Sequence, residues 1–279
     1  GGRKLKRRGG RALSAAIIIS AALIVEFSLI LSRCDGKDII SERWQDSGIT
    51  ADESSTAHKT QTLKSSRSKQ PEQGSGNAAI LTIKNIYQLP ELPTGCEVTA
   101  LTAVMRFYGL EADKEELAYS FLPREDFEVS GRVKYGADPE KSFAGDPFST
   151  GGYGAMSGVV EQTANAYFES CGSTLRASAV KDRDLSFFTA RLKEGKPSLI
   201  WVTMDMKESY ISDSWLTREG RQVYWQANEH CVVLAGIDEQ AGVIWCADPL
   251  KDTEQLTAYD EELFAKRFYE MGAQGVIFE

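Results

Sequence analysis

The strongest constraint on folding lies in residues 35–78. SSTAHKTQTLKSSRSKQPEQGSGN and the residues before it are rich in Ser, Thr, Lys, Gln, Glu and Asp, with few apolar side chains after Trp44. Such a stretch cannot bury enough surface to offset the entropy of ordering it. Residues 33–78 therefore read as a flexible tether. Folding is confined to a body over 79–279, long enough for one substantial core.

On the other side of the tether, Leu13 to Ser32 reads LSAAIIISAALIVEFSLILS. This run approaches the roughly 20 apolar residues that span a bilayer core. Residues 1–12 are basic, and residues 1–33 together carry seven basic groups against Glu26 alone. That bias predicts a single-pass signal-anchor helix over 13–32 with a cytoplasmic N-terminus, which places the body outside the cytoplasm at the cell membrane. Two alternatives stay open. A cleavable signal peptide would want a shorter apolar core and a small-x-small cleavage site. A lipoprotein signal would attach lipid at Cys34, where Arg33 stands in place of the usual small residue. Of the net charge of -8, the first 33 residues contribute +6, so the rest carries -14. A body that acidic argues against a nucleic-acid partner, because phosphate binding wants a basic surface.

Within the body, ILTIKNIYQLP reads as a strand and loop. The spacing of Val98, Leu101, Met105 and Tyr108 predicts a helix over Glu97–Tyr108 ended by Gly109. Further helices are expected at Lys114–Ser120, Ala155–Glu169, Asp184–Lys193 and Asp260–Tyr269. Strands are expected at PSLIWVTM, at HCVVLAGI and GVIWCAD joined as a hairpin, and at GVIF. Pro123–Tyr153 and Lys207–Ala227 read as long loops, and loops of that length are often functional. Tyr210, Trp215, Tyr224 and Trp225 make the second a candidate cleft wall. Helices first and an antiparallel sheet afterwards define an α+β fold.

Thr94-Gly95-Cys96-Glu97 fits a capping box, with Thr94 and Glu97 exchanging hydrogen bonds. Cys96 would then occupy the second helical position, where free N–H groups and the helix dipole favour a thiolate. The bland alternative is a small buried hydrophobe. The chain has two histidines, and His58 lies in the tether, so His230 is the only imidazole the body could use as a base. Pairing Ile237 with Val243 across the hairpin sets Asp248 opposite Val232, on the face of His230. The same register sets Cys246 opposite Leu234, away from Cys231. Cys96 as nucleophile, His230 as base and Asp248 as the group orienting the imidazole make a coherent set. The Cys96 N–H and the Gln88 amide are candidate oxyanion donors. The five cysteines include no CxxC, so no metal or cofactor is called for.

QLPELPTGCEVTALTAVMRFYG, GDPFSTGGYGAMSGVVEQTANAYF, GKPSLIWVTM, NEHCVVLAGID and CADPL together resemble the C39-like peptidases of the papain-like cysteine peptidase clan. The similarity runs in consistent order over about 80–279. It implies a papain-like α+β fold, with an N-terminal helical part that carries the nucleophile helix and a C-terminal antiparallel sheet. Cys96, His230 and Asp248 would be the triad and Gln88 the oxyanion donor, although Gln88 lies farther upstream of Cys96 than is usual in the clan. The expected activity is peptide-bond hydrolysis on a peptide, protein or cell-wall peptide substrate. An amidase or acyl transferase acting on cell-wall peptides, and a non-catalytic module binding peptide or wall polymer, are the competing readings.

Overall fold

The computed structural model describes residues 78–279. The expected cytoplasmic N-terminus, the 13–32 anchor and the tether up to residue 77 lie outside the described residues. Among the described residues, no helix is long and apolar enough to cross a membrane.

Strand β1 (Ala78–Ile80) leads through an extended arm to helix α1 (Cys96–Phe107). A helical turn at Lys114–Glu116 runs on as a π-helical stretch over Leu117–Phe121. Four short strands follow: β2 (Arg124–Glu125), β3 (Glu128–Ser130), β4 (Val133–Tyr135) and β5 (Phe143–Ala144). Then come α2 (Ser157–Ser170), β6 (Ala177–Val180), α3 (Leu185–Lys193), β7 (Ser198–Thr203), β8 (Ile211–Leu216) and β9 (Gln222–Gln226). The chain finishes with β10 (Glu229–Asp238), β11 (Val243–Ala247), β12 (Thr257–Asp260), α4 (Glu261–Glu270) and β13 (Gly275–Phe278).

The fold is α+β around one antiparallel sheet, in the order β12-β11-β10-β7-β13-β6, with β1 also pairing with β10. Strand β10 is central and buried along almost its whole length. Side chains alternate across it, as the period of a strand demands. Cys231, Val233 and Ala235 join the core beneath α1 and α2, while Val232 and Leu234 join the core under α3 and α4.

Helix α1 forms where the periodicity places it, and Val98, Leu101 and Met105 are fully buried. Its turn of exit uses Gly109 at φ +81°, a left-handed conformation that glycine takes without steric cost. The expected capping box is absent. Gly95 is the N-cap and no side chain caps the helix, so Cys96 is its first residue rather than its second. Thr94 instead donates its hydroxyl to the carbonyls of Ser149 (3.1 Å) and Asp146 (3.4 Å). Glu97 turns inward to accept the Ala155 N–H at 2.6 Å. Tertiary partners arriving from the 146–155 loop outcompete the local cap.

The hairpin turn also differs from expectation by one residue. Ile237 faces Ile244, and Asp238 faces Val243. A bulge between Leu234 and Gly236 takes up that residue, so Leu234 faces Cys246 as the sequence suggested. Both segments read as loops contain strands. A second sheet in the order β3-β4-β8-β9 joins them, with Tyr135 paired to Leu216 in parallel. Trp215 and Trp225 stack at 6.0 Å inside a small core with Phe127 and Tyr153, whereas Tyr210 and Tyr224 are exposed.

Candidate active site

Three pieces of chain converge near the start of β10. The arm before α1 lies along the turn that follows β11. Asn85 donates to the carbonyls of Lys251 and Thr253, both at 2.9 Å, and the Gln88 N–H donates to the carbonyl of Pro249 at 2.9 Å. Lys114 fixes the same arm by donating to the Tyr87 carbonyl (2.6 Å), the Gln88 carbonyl (3.0 Å) and the Glu91 carboxylate (2.8 Å). The arm thus brings Gln88 to the turn that begins at Asp248.

His230 and Asp248 are brought together. The imidazole Nε2 lies 2.7 Å from Asp248 Oδ1, and both side chains are almost wholly buried. The Tyr259 hydroxyl, from β12, donates to Asp248 Oδ2, and the Leu250 N–H donates to Oδ1 at 2.9 Å. Burial pushes the Asp248 carboxyl up, but the hydrogen bond and charge of His230, helped by Tyr259 and Leu250, hold it at about 2. Burial and the Asp248 charge push the Tyr259 phenol far above its ordinary range, so it stays a donor. An Nε2–H tautomer bonded to Asp248 leaves Nδ1 to act as the base.

The Cys96 thiol meets β10 at Cys231, the residue after His230. Its Sγ accepts the backbone N–H of Cys231 and donates to Glu97 Oε2 at 3.4 Å. Among the described residues no hydrogen bond joins Cys96 to His230. The expectation that the helix start favours a thiolate is reversed. Burial, followed by the neighbouring carboxyl groups of Glu97 and Glu229, pushes the thiol well above its ordinary range. Gln88 is also committed elsewhere. Its amide N–H groups donate to the carbonyls of Leu92 (3.0 Å) and Pro93 (3.1 Å), and its buried Oε1 has no partner.

Glu97 and Glu229 were not among the residues expected at the site, yet they surround the thiol. The nearest ligand atoms of Cys96, Glu97 and Glu229 all lie within 4.8 Å of one another. The Glu97 oxygens accept from Ala155 and Cys96, so within the protein this carboxylate serves as a hydrogen-bond acceptor. Burial pushes Glu97 up to about 7 against the pull of the N–H groups it accepts. Burial and the Glu97 charge push Glu229 well above the carboxylate range, opposed by the Trp201 indole. In the sequence Glu97 looked like a capping partner. The available signal was Glu229 itself, an acid heading a strand that is otherwise apolar.

Comparison with known proteins agrees with this architecture. The sequence profile of the Peptidase_C39 like family matches residues 80–276, nearly the whole body. A C39-like protein of Bacillus anthracis has a solved structure that superposes with a TM-score of 0.62 at 29% identity, covering 72% of this chain and 97% of that one. The uncharacterised protein YvpB of Bacillus subtilis is 26% identical over 212 residues, 76% of this chain and 80% of its own length. The chain belongs to the Peptidase_C39 like family.

Proposed function

We propose that the protein is a cysteine peptidase in which Cys96 attacks a peptide carbonyl and His230, oriented by Asp248, moves the proton. The observation that carries this reading is the His230–Asp248 bond of 2.7 Å, set where the Cys96 sulfur meets the β10 backbone. His230 Nδ1 takes the thiol proton as Sγ attacks, and the imidazolium then protonates the leaving amine. Asp248, ionised and held by Tyr259, fixes the tautomer and stabilises the imidazolium. Because the buried thiol resists ionisation, proton transfer accompanies attack instead of preceding it. The oxyanion would be met by the Cys96 N–H at the start of α1, where no side chain caps the helix. Gln88 would add a second donor only after its amide leaves the Leu92 and Pro93 carbonyls.

The apolar run at 13–32 and the basic residues before it support a membrane-anchored, extracytoplasmic enzyme acting on peptides, proteins or cell-wall peptides. Recovery of the full chain in the soluble fraction after cell lysis would remove the anchoring part. One observation favours a non-catalytic binding module as a second reading: the thiol is buried and bonded to Glu97 instead of His230. The test is incubation of the full chain with a peptide library and with cell-wall fragments, wild type against Cys96→Ala. Products formed by the wild type alone support hydrolysis. No difference on any substrate removes the peptidase and amidase readings together.

A further inference from the structure

We propose that Glu97 and Glu229 share a single proton, carried on Glu229, and that this pair positions Cys96 as a neutral thiol hydrogen-bonded to Glu97. The inference rests on reading Cys96 as the nucleophile and adds two positioning residues to it. Cys96 and Glu97 come from α1, Glu229 and Cys231 from β10, and each is buried. Other neighbours carry no charge. Trp201 from β7 offers its indole N–H, which donates to the Ala155 carbonyl at 3.0 Å, and residues 154–155 offer only backbone. Among the described residues no lysine, arginine or histidine acts on either carboxylate.

The close approach is built into the chain at Gly154. A Cβ there would lie 2.7 Å from Glu229 Oε2 and 2.8 Å from Glu97 Oε1, so both carboxyl groups rest against the same bare backbone atom. Double ionisation of two buried carboxyl groups so placed is strongly disfavoured, and a proton held between them relieves it. Its location follows from the bonding. Glu97 accepts the Ala155 N–H on one oxygen and the thiol S–H on the other, which suits an anion. Glu229 Oε1 has no partner among the described residues and the Trp201 indole alone eases a charge on this group, against two donors for Glu97, so the neutral acid belongs on Glu229. The charge on Glu97 then holds the S–H and keeps the proton on sulfur. For attack, Sγ must leave Glu97 for His230, so the pair sets a resting state from which substrate binding releases the thiol.

The test uses the full chain and no substrate, so its failure is separable from failure of the peptidase reading. Alkylation of Cys96 by iodoacetamide is followed by mass spectrometry across pH, and protonated carboxylic acid is followed by infrared spectroscopy. In Glu97→Gln, which keeps an acceptor for Ala155 but removes the charge, the alkylation midpoint should fall by about one pH unit or more. Glu229→Gln mimics the protonated acid and should leave the midpoint close to wild type. The infrared carbonyl band of a protonated acid should persist at pH 8 in the wild type and vanish in Glu229→Gln. An unmoved midpoint in Glu97→Gln, an equal shift in Glu229→Gln, or no band in the wild type would overturn the proposal. A stoichiometric metal ion in the purified chain would do the same. If Glu97→Gln does not fold, the band in wild type and Glu229→Gln still decides.

Discussion

At the scale of single residues, the two buried acidic centres pull stability in opposite directions with pH. Asp248 is depressed from its ordinary 3.8 to about 2 by His230, so its contribution is present above about pH 4 and lost as pH falls through 2. At roughly 1.4 kcal/mol per pH unit, that contribution is about 2 kcal/mol. Glu97 is raised from 4.5 to about 7. The folded state therefore binds its proton more tightly than the unfolded chain. That contribution is complete below pH 4.5 and disappears as pH rises through 7, where Glu97 ionises and the pair's one remaining proton stays on Glu229. These two groups place the stability maximum between about pH 4 and 5. Denaturant titrations across pH should show a decline toward pH 8 that is flattened in Glu97→Gln. A steady rise from pH 4 to 8 would contradict the assignment.

Among the elements, the 146–155 loop does what the capping box was expected to do. It holds the entry to α1 through Thr94 and supplies the Ala155 N–H to Glu97. Its glycines are therefore functional spacing as well as turn residues. Gly154→Ala would drive a methyl into Glu97, Glu229 and the Trp225 ring, whose nearest atom lies 3.1 Å from the added carbon. Overpacking of this kind costs about 1–3 kcal/mol, measurable as a lower denaturation midpoint with unchanged slope. Strands β10 and β11 show how an element absorbs a local misreading. The turn differs by one residue, the bulge near Ala235 cancels the difference, and Asp248 still shares a face with His230.

Over the whole molecule, what the sequence made legible was local. The apolar spacing of Val98, Leu101 and Met105 specified α1, and strand alternation put His230 and Asp248 on one face. Contacts between distant segments were not legible. Tyr135 pairs with Leu216 through a single parallel bridge, so nothing in either segment announces the second sheet. Glu97 and Glu229 meet only because α1 packs on β10, and neither residue's neighbours in sequence reveal the other. The family match runs across 80–276, and the proposed chemistry requires one sulfur to change partners. The most direct measurement is mass-spectrometric detection of an acyl adduct during turnover of a cleaved peptide. The account predicts a thioester on Cys96 in the wild type that fails to form in His230→Ala. Turnover without an adduct, and undiminished in His230→Ala, would contradict it.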